Sequence, residues 1–361
     1  MPTRKPKQKP IARYFWQDPE WGPFWRRHTI ARRTGKTLIG FTILLAFIQI
    51  LNIFLFTPVK NPSWGVSFSI KQARNLGLDW KANYLAIVDE LKFKHLRLMS
   101  YWDENEPARG QFTFADLDWQ MDEAAKRGVK VSLATGLRQP RWPECHRPEW
   151  AAKLSGNTWK QALYAYMEIV TKRYKDHPAL DSWQLENEGM NNWFGTCDPP
   201  DRTRLIEEFN LMKQWDPIHP VMMSLSDQHG LPIYGPVPDA YGYSVYRVVW
   251  NDKVQPNGYI YYPTPIWYHR LRGVIIQAMQ HRPLFIHELQ MEPWGQQDFK
   301  NLTVQEQNKS MSIYQIPKSF QFARQIGFKD IYLWGSEWWY WRKVNGDPSV
   351  WDTVHHELQK S

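Results

Sequence analysis

Two short runs, Ser182-Trp183-Gln184-Leu185-Glu186-Asn187-Glu188 and Pro283-Leu284-Phe285-Ile286-His287-Glu288, share one plan: apolar residues, then a terminal carboxylate. If each run is a strand, its last side chain is delivered at the C-terminal end, where α/β barrels keep their chemistry. Two such glutamates, Glu188 and Glu288, are the equipment for glycosidic-bond cleavage by an acid/base and a nucleophile. Asn105-Glu106 is a second Asn-Glu, but it lies well inside a loop ahead of Pro107. Ordering that loop is the expected role of Glu106. Glu292 and Glu337 are further carboxylates of the same loops and rank behind the strand-end pair.

The elements that must position this pair can be traced along the chain. Apolar runs at Val66–Ile70, His95–Tyr101, Val129–Thr135, Leu180–Glu188, Val221–Ser226, Tyr241–Val249, Leu284–Glu288 and Ile331–Gly335 read as eight strands. Helical patterns fall between them near Lys81–Phe93, Asp116–Arg127, Thr158–Tyr174, Arg202–Gln214, Trp267–Gln280 and Ile313–Ile326. A weak helical signal follows the fifth strand, and a last helix covers about Val350–Lys360. Strands alternating with helices imply parallel βα units, and eight of them predict an α/β fold of the closed (β/α)8 TIM-barrel type. An open doubly wound sheet is disfavoured, because the chain lacks a Gly-x-Gly-x-x-Gly turn. Strand ends then bring Arg97 to Trp102, Gly136 to Gln139, Asn187, Glu188, Tyr243 or Tyr246, His287, Glu288 and Trp334 to Trp341 to one mouth. Of the two tyrosines, Tyr246 is preferred. Trp338, Trp339 and Trp341 either stack on sugar or pack over the barrel top.

Composition narrows the partner. The chain has 361 residues and 21 tryptophans, and aromatic faces stack on the C–H faces of sugar rings. The net charge of +9 suggests nucleic acid or a membrane surface, until its distribution is read. Residues 1–36 hold ten Lys/Arg against Asp18 and Glu20, and the remainder is nearly neutral, with 35 basic residues against 34 acidic. The body therefore has no basic footprint, and nucleic-acid binding falls away. Residues 37–59 carry no charge, and Thr37–Phe56 is almost wholly apolar. About twenty helical residues span a bilayer core of roughly 30 Å, longer than the apolar core of a cleaved signal, and no Ala-x-Ala follows. The reading is a single N-terminal transmembrane signal anchor. Residues 1–36 form a basic cytoplasmic tail with an aromatic patch (Tyr14, Phe15, Trp16, Trp21, Phe24, Trp25), and residues 60–361 form the catalytic domain outside. Cys145 and Cys197 are the only cysteines; an exported domain permits their pairing, which spacing does not decide. No Cys/His cluster has zinc spacing, and neither a metal nor a cofactor is implied.

Beyond these local readings, Trp183-Gln184-Leu185-Glu186-Asn187-Glu188 resembles the fourth-strand Trp-Glu-x-x-Asn-Glu of clan A glycoside hydrolases. The run from Tyr101 through Glu106-Pro107, Gly110 and Phe112-Thr113-Phe114 to Leu117-Asp118 resembles that clan's loop after strand two. Pro283–Glu288 and Leu333-Trp334 are similar to its seventh and eighth strands. The likeness covers about Trp64 to Trp351 and is nearest to family 5 and family 42, cellulase-like enzymes. Gln184, Gly189 and Ser244-Val245-Tyr246-Arg247 depart from the clan, which commonly has Glu, Pro and a nearby His there. The resemblance implies Glu188 as general acid/base and Glu288 as nucleophile. It also implies Asn187 on the sugar 2-OH, Arg97 and Tyr246 beside Glu288, and Trp334 under the reacting sugar. Trp102 and Trp338 are assigned to substrate contact with them. The activity so implied is that of a membrane-anchored retaining β-glycosidase of glucanase, mannanase or galactosidase type, acting on an external polysaccharide or glycoconjugate. A silent glycan-binding barrel and a transglycosylase are the alternatives.

Overall fold

The computed structural model describes residues 22–55, 58–191, 194–225, 231, 235–254 and 258–360. The chain divides into two units, Met1–Phe56 and Thr57–Ser361. In the first, one α-helix, α1 (Gly22–Leu55), runs for 34 residues, about 51 Å at 1.5 Å per residue. It begins well ahead of Thr37, so part of the expected basic tail is helical. Tyr14, Phe15, Trp16 and Trp21 of the aromatic patch lie outside the described residues. Leu38, Phe41, Leu44 and Phe47 are exposed along α1. Among the described residues α1 alone is long and apolar enough to cross a membrane.

The second unit is a closed barrel of eight parallel strands. They are β1 (Ser63–Ser67), β2 (His95–Met99), β3 (Lys130–Thr135), β4 (Leu180–Leu185), β5 (Val221–Ser224), β6 (Ala240–Val245), β7 (Leu284–Gln290) and β8 (Asp330–Trp334). Closure is made by β1, which pairs with both β2 and β8. Helices cover the outer face, so the strands are buried on both sides and read as near-continuous apolar runs. Their starts are fixed locally. Asp79 caps Trp80–Asp89 by accepting from Lys81 N at 3.0 Å and Ala82 N at 3.1 Å. Asp201 caps Arg202–Trp215 by accepting from Arg204 N at 3.0 Å. Each cap satisfies amide protons that the helix itself leaves unpaired.

Four elements differ from the sequence expectation. The first strand starts earlier and gives way at Ile70 to a short helix, Ile70–Asn75, capped by Ser69. The fourth ends at Leu185, because Glu186 and Glu188 adopt left-handed backbone with φ of 49° and 47°. The expected sixth strand is two pieces: β6, and a separate strand Val248–Trp250 paired antiparallel with Tyr259–Tyr261. Among the described residues no helix follows β5 before β6. The cysteines do pair: Cys145 and Cys197 form a disulfide across 52 residues, tying the loop after β3 to the loop after β4.

Candidate active site

The site begins inside the barrel with Arg97. Its β2 position lies beside Ser67 of β1 and Ser132 of β3, small residues that leave room for a guanidinium in the barrel interior. Arg97 is buried, and its donors are distributed over several strands. Nε donates to Gln184 Oε1 of β4 at 2.5 Å, Nη1 to Glu288 Oε1 of β7 at 2.7 Å, and Nη2 to Asn187 Oδ1 at 2.9 Å. A planar fork with fixed donor directions thus sets the orientation of both strand ends. Gln184 stands where the clan commonly has a glutamate, and here its neutral amide accepts from Arg97 without competing with Glu288 for the positive charge.

Glu288 is buried, with Tyr246 Oη donating to Oε2 at 2.7 Å and His287 Nδ1 lying 3.6 Å from Oε1. Burial alone pushes a carboxyl up, but the Arg97 charge and the hydrogen bonds from Arg97 and Tyr246 outweigh it and hold Glu288 below the ordinary value. Glu288 is therefore ionised at neutral pH. Glu188 has the opposite environment. Burial, and then the nearby negative charge of Glu288, push it up to about 8. Asn191 Nδ2 donates to its Oε2 at 2.7 Å, and Ser244 Oγ donates to its Oε1. Ser244 also lies 2.9 Å from His287 Nε2. Burial lowers His287 to about 3, so the imidazole is neutral; with its proton on Nε2 it donates to Ser244 and leaves the hydroxyl proton for Glu188. Two glutamates with pKa values driven apart make an acid and an anion side by side.

The backbone that delivers Glu188 is braced by Glu186, which is itself buried away from the mouth. Its Oε1 accepts from Leu137 N at 3.1 Å, and its Oε2 accepts from Arg204 Nη2 at 3.2 Å. Gly136 permits this approach: its φ is +104°, and a Cβ there would lie 2.7 Å from Glu186 Cγ.

Hydrogen bonds join Arg97, Asn187, Tyr246 and Glu288, and Glu188 is tied to them through Ser224, whose Oγ accepts from Glu188 N at 2.6 Å and lies 3.5 Å from Asn187 Oδ1. Trp334 lies above Arg97, its ring centroid 6.0 Å from the guanidinium carbon, with Tyr246 packed beside it. Trp102 and Trp338 do not join them, which corrects their assignment to substrate. Trp102 is 0% exposed; it opens the short helix Trp102–Asn105, donates Nε1 to Glu106 Oε2 at 2.8 Å and stacks on Tyr166. Trp338 is also 0% exposed, on the inner side of the helix Ser336–Val344, and donates to Gln307 Oε1 at 2.9 Å. Trp339 is equally buried, its indole held by Met291 O. Tyr243 faces outward from β6, against Phe328 and Arg272. Glu106 orders its loop, accepting from Trp102 and Gly110 N.

One member of the site escaped the sequence. Glu144, in the loop after β3, is buried and accepts from Asn187 Nδ2 at 3.1 Å, so the two ends of that amide are fixed by Glu144 and Arg97. Its only sequence signal is adjacency to Cys145, whose disulfide holds the loop in place. Burial, and then the charge of Glu288, push Glu144 up to about 8, against the lowering effect of Arg138. The folded chain thus holds this proton from about pH 4.5 to 8, a range in which the unfolded chain has lost it. Glu144 consequently costs no stability below about 4.5, and stability declines as pH rises towards 8. In Glu144→Gln that decline is smaller. The variant should gain about 4 kcal/mol on the wild type between pH 4.5 and 8, read as thermal melting at both pH values.

The fold places the chain among the (β/α)8 barrels, and part of its sequence is similar to glycoside hydrolases. Residues 79–204, from the helix before β2 to the helix after β4, match the family model described as beta-galactosidase, glycoside hydrolase family 42. That segment contains Arg97, Glu144, Asn187 and Glu188. A beta-galactosidase from an Arthrobacter species is 33% identical over 104 residues, 24% of this chain and 15% of that protein. Beta-galactosidase Bga of Halorubrum lacusprofundi is 23% identical over 214 residues, 54% of this chain and 27% of that protein. The matches thus span well under a third of these relatives' own length. Among solved structures, a variant of a GH5_18 protein from Bifidobacterium longum, in complex with Manb1-4GlcNAc, superposes with a TM-score of 0.57 at 14% identity. It covers 83% of this chain and 78% of that one. The beta-galactosidase from Rahnella sp. R3 gives 0.55 at 13% identity, covering 84% of this chain and 56% of that one. At such identities the superpositions speak for the shared barrel.

Proposed function

We propose that this chain is a retaining glycoside hydrolase that cleaves β-glycosidic bonds outside the membrane to which α1 anchors it. The observation that carries the reading is the pair at the ends of β4 and β7. Glu288 is kept anionic by Arg97 and Tyr246, while Glu188 is kept protonated by burial and by Glu288 itself. In the first step Glu288 attacks the anomeric carbon while Glu188 gives its proton to the departing oxygen. Loss of that proton leaves Glu188 as the base that activates water for the second step, which frees Glu288. Asn187, clamped between Arg97 and Glu144, presents its amide beside the pair, where it suits the sugar 2-OH. Double displacement requires the two carboxyl groups to be about 5–5.5 Å apart, leaving no room for a water between them, and it retains the anomeric configuration. The names of the relatives make β-galactosides and β-mannosides the first sugars to try.

The test uses the chain in detergent and a panel of aryl β-glycosides, with the anomer of the first-formed product read by NMR. Turnover with retention supports the proposal; turnover with inversion, or no turnover of any glycoside, opposes it. Anchoring rests on α1, which is long enough to cross a bilayer and exposes its apolar residues. The full chain is expected to stay with membranes after alkaline carbonate and to be released only by detergent. A chain starting at Thr57 is expected in the soluble fraction with activity retained. Carbonate release of the full chain would count against an anchor.

A further inference from the structure

The disulfide between Cys145 and Cys197 governs a site residue that no strand holds. Glu144 stands next to Cys145 in left-handed backbone, with φ of 74°. Its buried carboxyl accepts from Asn187 Nδ2 at 3.1 Å and so fixes the amide beside Glu188 and Glu288. The loop after β4 lies directly against it: a Cβ on Gly195 would come within 2.9 Å of Glu144 Cβ. That loop is the segment the disulfide ties down, through Cys197. Three weaker contacts also cross between the two loops. Thr196 N donates to Pro143 O at 2.9 Å, Arg138 Nη2 donates to Phe194 O at 3.1 Å, and Arg147 pairs with Asp198. Thr196, Phe194 and Asp198 are exposed, so water competes for all three. The covalent bond is therefore what keeps Glu144 on Asn187.

The same bond is placed where it can be opened. Cys145 and Cys197 are half-buried, and both line a cavity of about 70 Å³ together with Arg138 and Trp159. Arg138 is buried, and its Nη1 donates to Cys197 Sγ at 3.2 Å. The carboxyl it is paired with, Glu144, lies 3.9 Å away, beyond hydrogen-bond reach. A guanidinium held against one sulfur favours the thiolate at that sulfur, and the better-stabilised thiolate is the one that leaves in thiol–disulfide exchange. We propose that Cys145–Cys197 is a redox modification site: a dithiol attacks Cys145, expels Cys197, and switches the active site off by releasing Glu144 from Asn187. In the first step a thiolate bonds to Cys145 Sγ, and the S–S electron pair leaves on Cys197, beside Arg138. The second thiol of the same molecule then displaces Cys145. The dithiol ends as a disulfide, and its two electrons and two protons end on the two cysteines. An oxidising compartment keeps the bond closed and the site assembled. The loss of turnover rests on the hydrolase reading above; the opening of the loop does not.

The experiment treats the full chain in detergent with dithiothreitol and counts free thiols by mass after alkylation. It follows kcat/KM on the best aryl glycoside of the panel and amide hydrogen exchange over residues 136–146. Reduction is expected to lower kcat/KM about tenfold or more, because Asn187 is no longer clamped. Exchange over residues 136–146 should quicken about tenfold or more while the barrel strands keep their protection. Oxidised glutathione should restore both. Cys145→Ser with Cys197→Ser should match the reduced protein and no longer respond to dithiothreitol. Arg138→Gln should slow reduction about tenfold, and Arg138→Lys, which keeps the charge, should stay near the wild type. Melting curves confirm that each tested protein is folded. With reduced glutathione, a monothiol, the trapped mixed disulfide is expected on Cys145. Three results would each overturn the switch: full reduction that leaves both turnover and exchange unchanged, a folded Arg138→Gln reduced as fast as the wild type, or glutathione on Cys197. A wild type inert on every glycoside of the panel overturns the hydrolase reading instead, and the switch is then judged by exchange and thiol mass alone.

Discussion

Glu288→Gln should lower kcat on an aryl β-glycoside about 10⁴-fold or more, roughly 5.5 kcal/mol of transition-state stabilisation. The amide fills the same space and still offers an oxygen to Arg97, so the barrel and the hydrogen bonds of Gln184 and Asn187 to Arg97 stay in place. What is lost is a negative charge facing the anomeric carbon and the bond that Glu288 would form there. Substrate binding depends on many contacts that the substitution leaves alone, so KM should move far less than kcat. Stopped assays of kcat and KM, with a melting curve to show that folding is intact, measure both. A variant within tenfold of the wild type would mean that Glu288 only neutralises Arg97.

Replacing Glu188 should give the second-largest effect, and one that depends on the leaving group. For an alkyl glycoside, whose departing oxygen needs a proton, Glu188→Gln should cost about 10³- to 10⁴-fold in kcat/KM. For a 2,4-dinitrophenyl glycoside, whose leaving group departs as a stable anion, the loss in kcat/KM should be under about tenfold. The pH profile sharpens the distinction. Glu188 is pushed up to about 8, and only its protonated form acts as the acid. Wild-type kcat/KM on the alkyl glycoside should therefore fall as pH rises through about 8. Glu288 is held below the ordinary carboxylate value and only its anion attacks, so the acid limb should lie below about pH 4.5. In Glu188→Gln the alkaline limb should disappear while the acid limb stays. An unchanged alkaline limb would assign it to another group, with Glu144 the nearest candidate.

The parts of this site that could be read from sequence are those set by strands. An apolar run that ends in a carboxylate announces both its burial and the position of its last side chain, which is why Glu188 and Glu288 could be located from sequence, whereas Arg97, inside the second run, was set beside Glu288 by the family resemblance. The barrel itself was legible for the same reason, since eight such runs alternate with helical patterns. Loops gave less away. Glu144 and Arg141 take their places through left-handed backbone (φ of 74° and 86°), a disulfide partner 52 residues away and ion pairs to the far side of the barrel. None of these is a local property of the residues around them. Trp102 and Trp338 show the same limit from the other direction. Both sit just past strand ends, where a sugar platform is plausible, yet each lies in a short helix whose rotation turns the indole inward to a buried acceptor. The position after a strand was readable; the direction of the side chain depended on the helix that followed.

The central claim is that Glu288 becomes covalently bonded to the sugar, and it can be tested by trapping that bond. A fluorine at C2 destabilises the positive charge that develops on the sugar and slows both steps, while a 2,4-dinitrophenyl leaving group keeps the first step fast enough to occur. The chain is incubated with the 2-deoxy-2-fluoro derivative of whichever β-glycoside it turns over, and the protein and its peptides are then weighed by mass spectrometry. Stoichiometric loss of activity, with one fluoroglycosyl adduct on the peptide carrying Glu288, is the expected result. An adduct on Glu188 or Glu144, or inversion of configuration in turnover with no adduct at all, would contradict it.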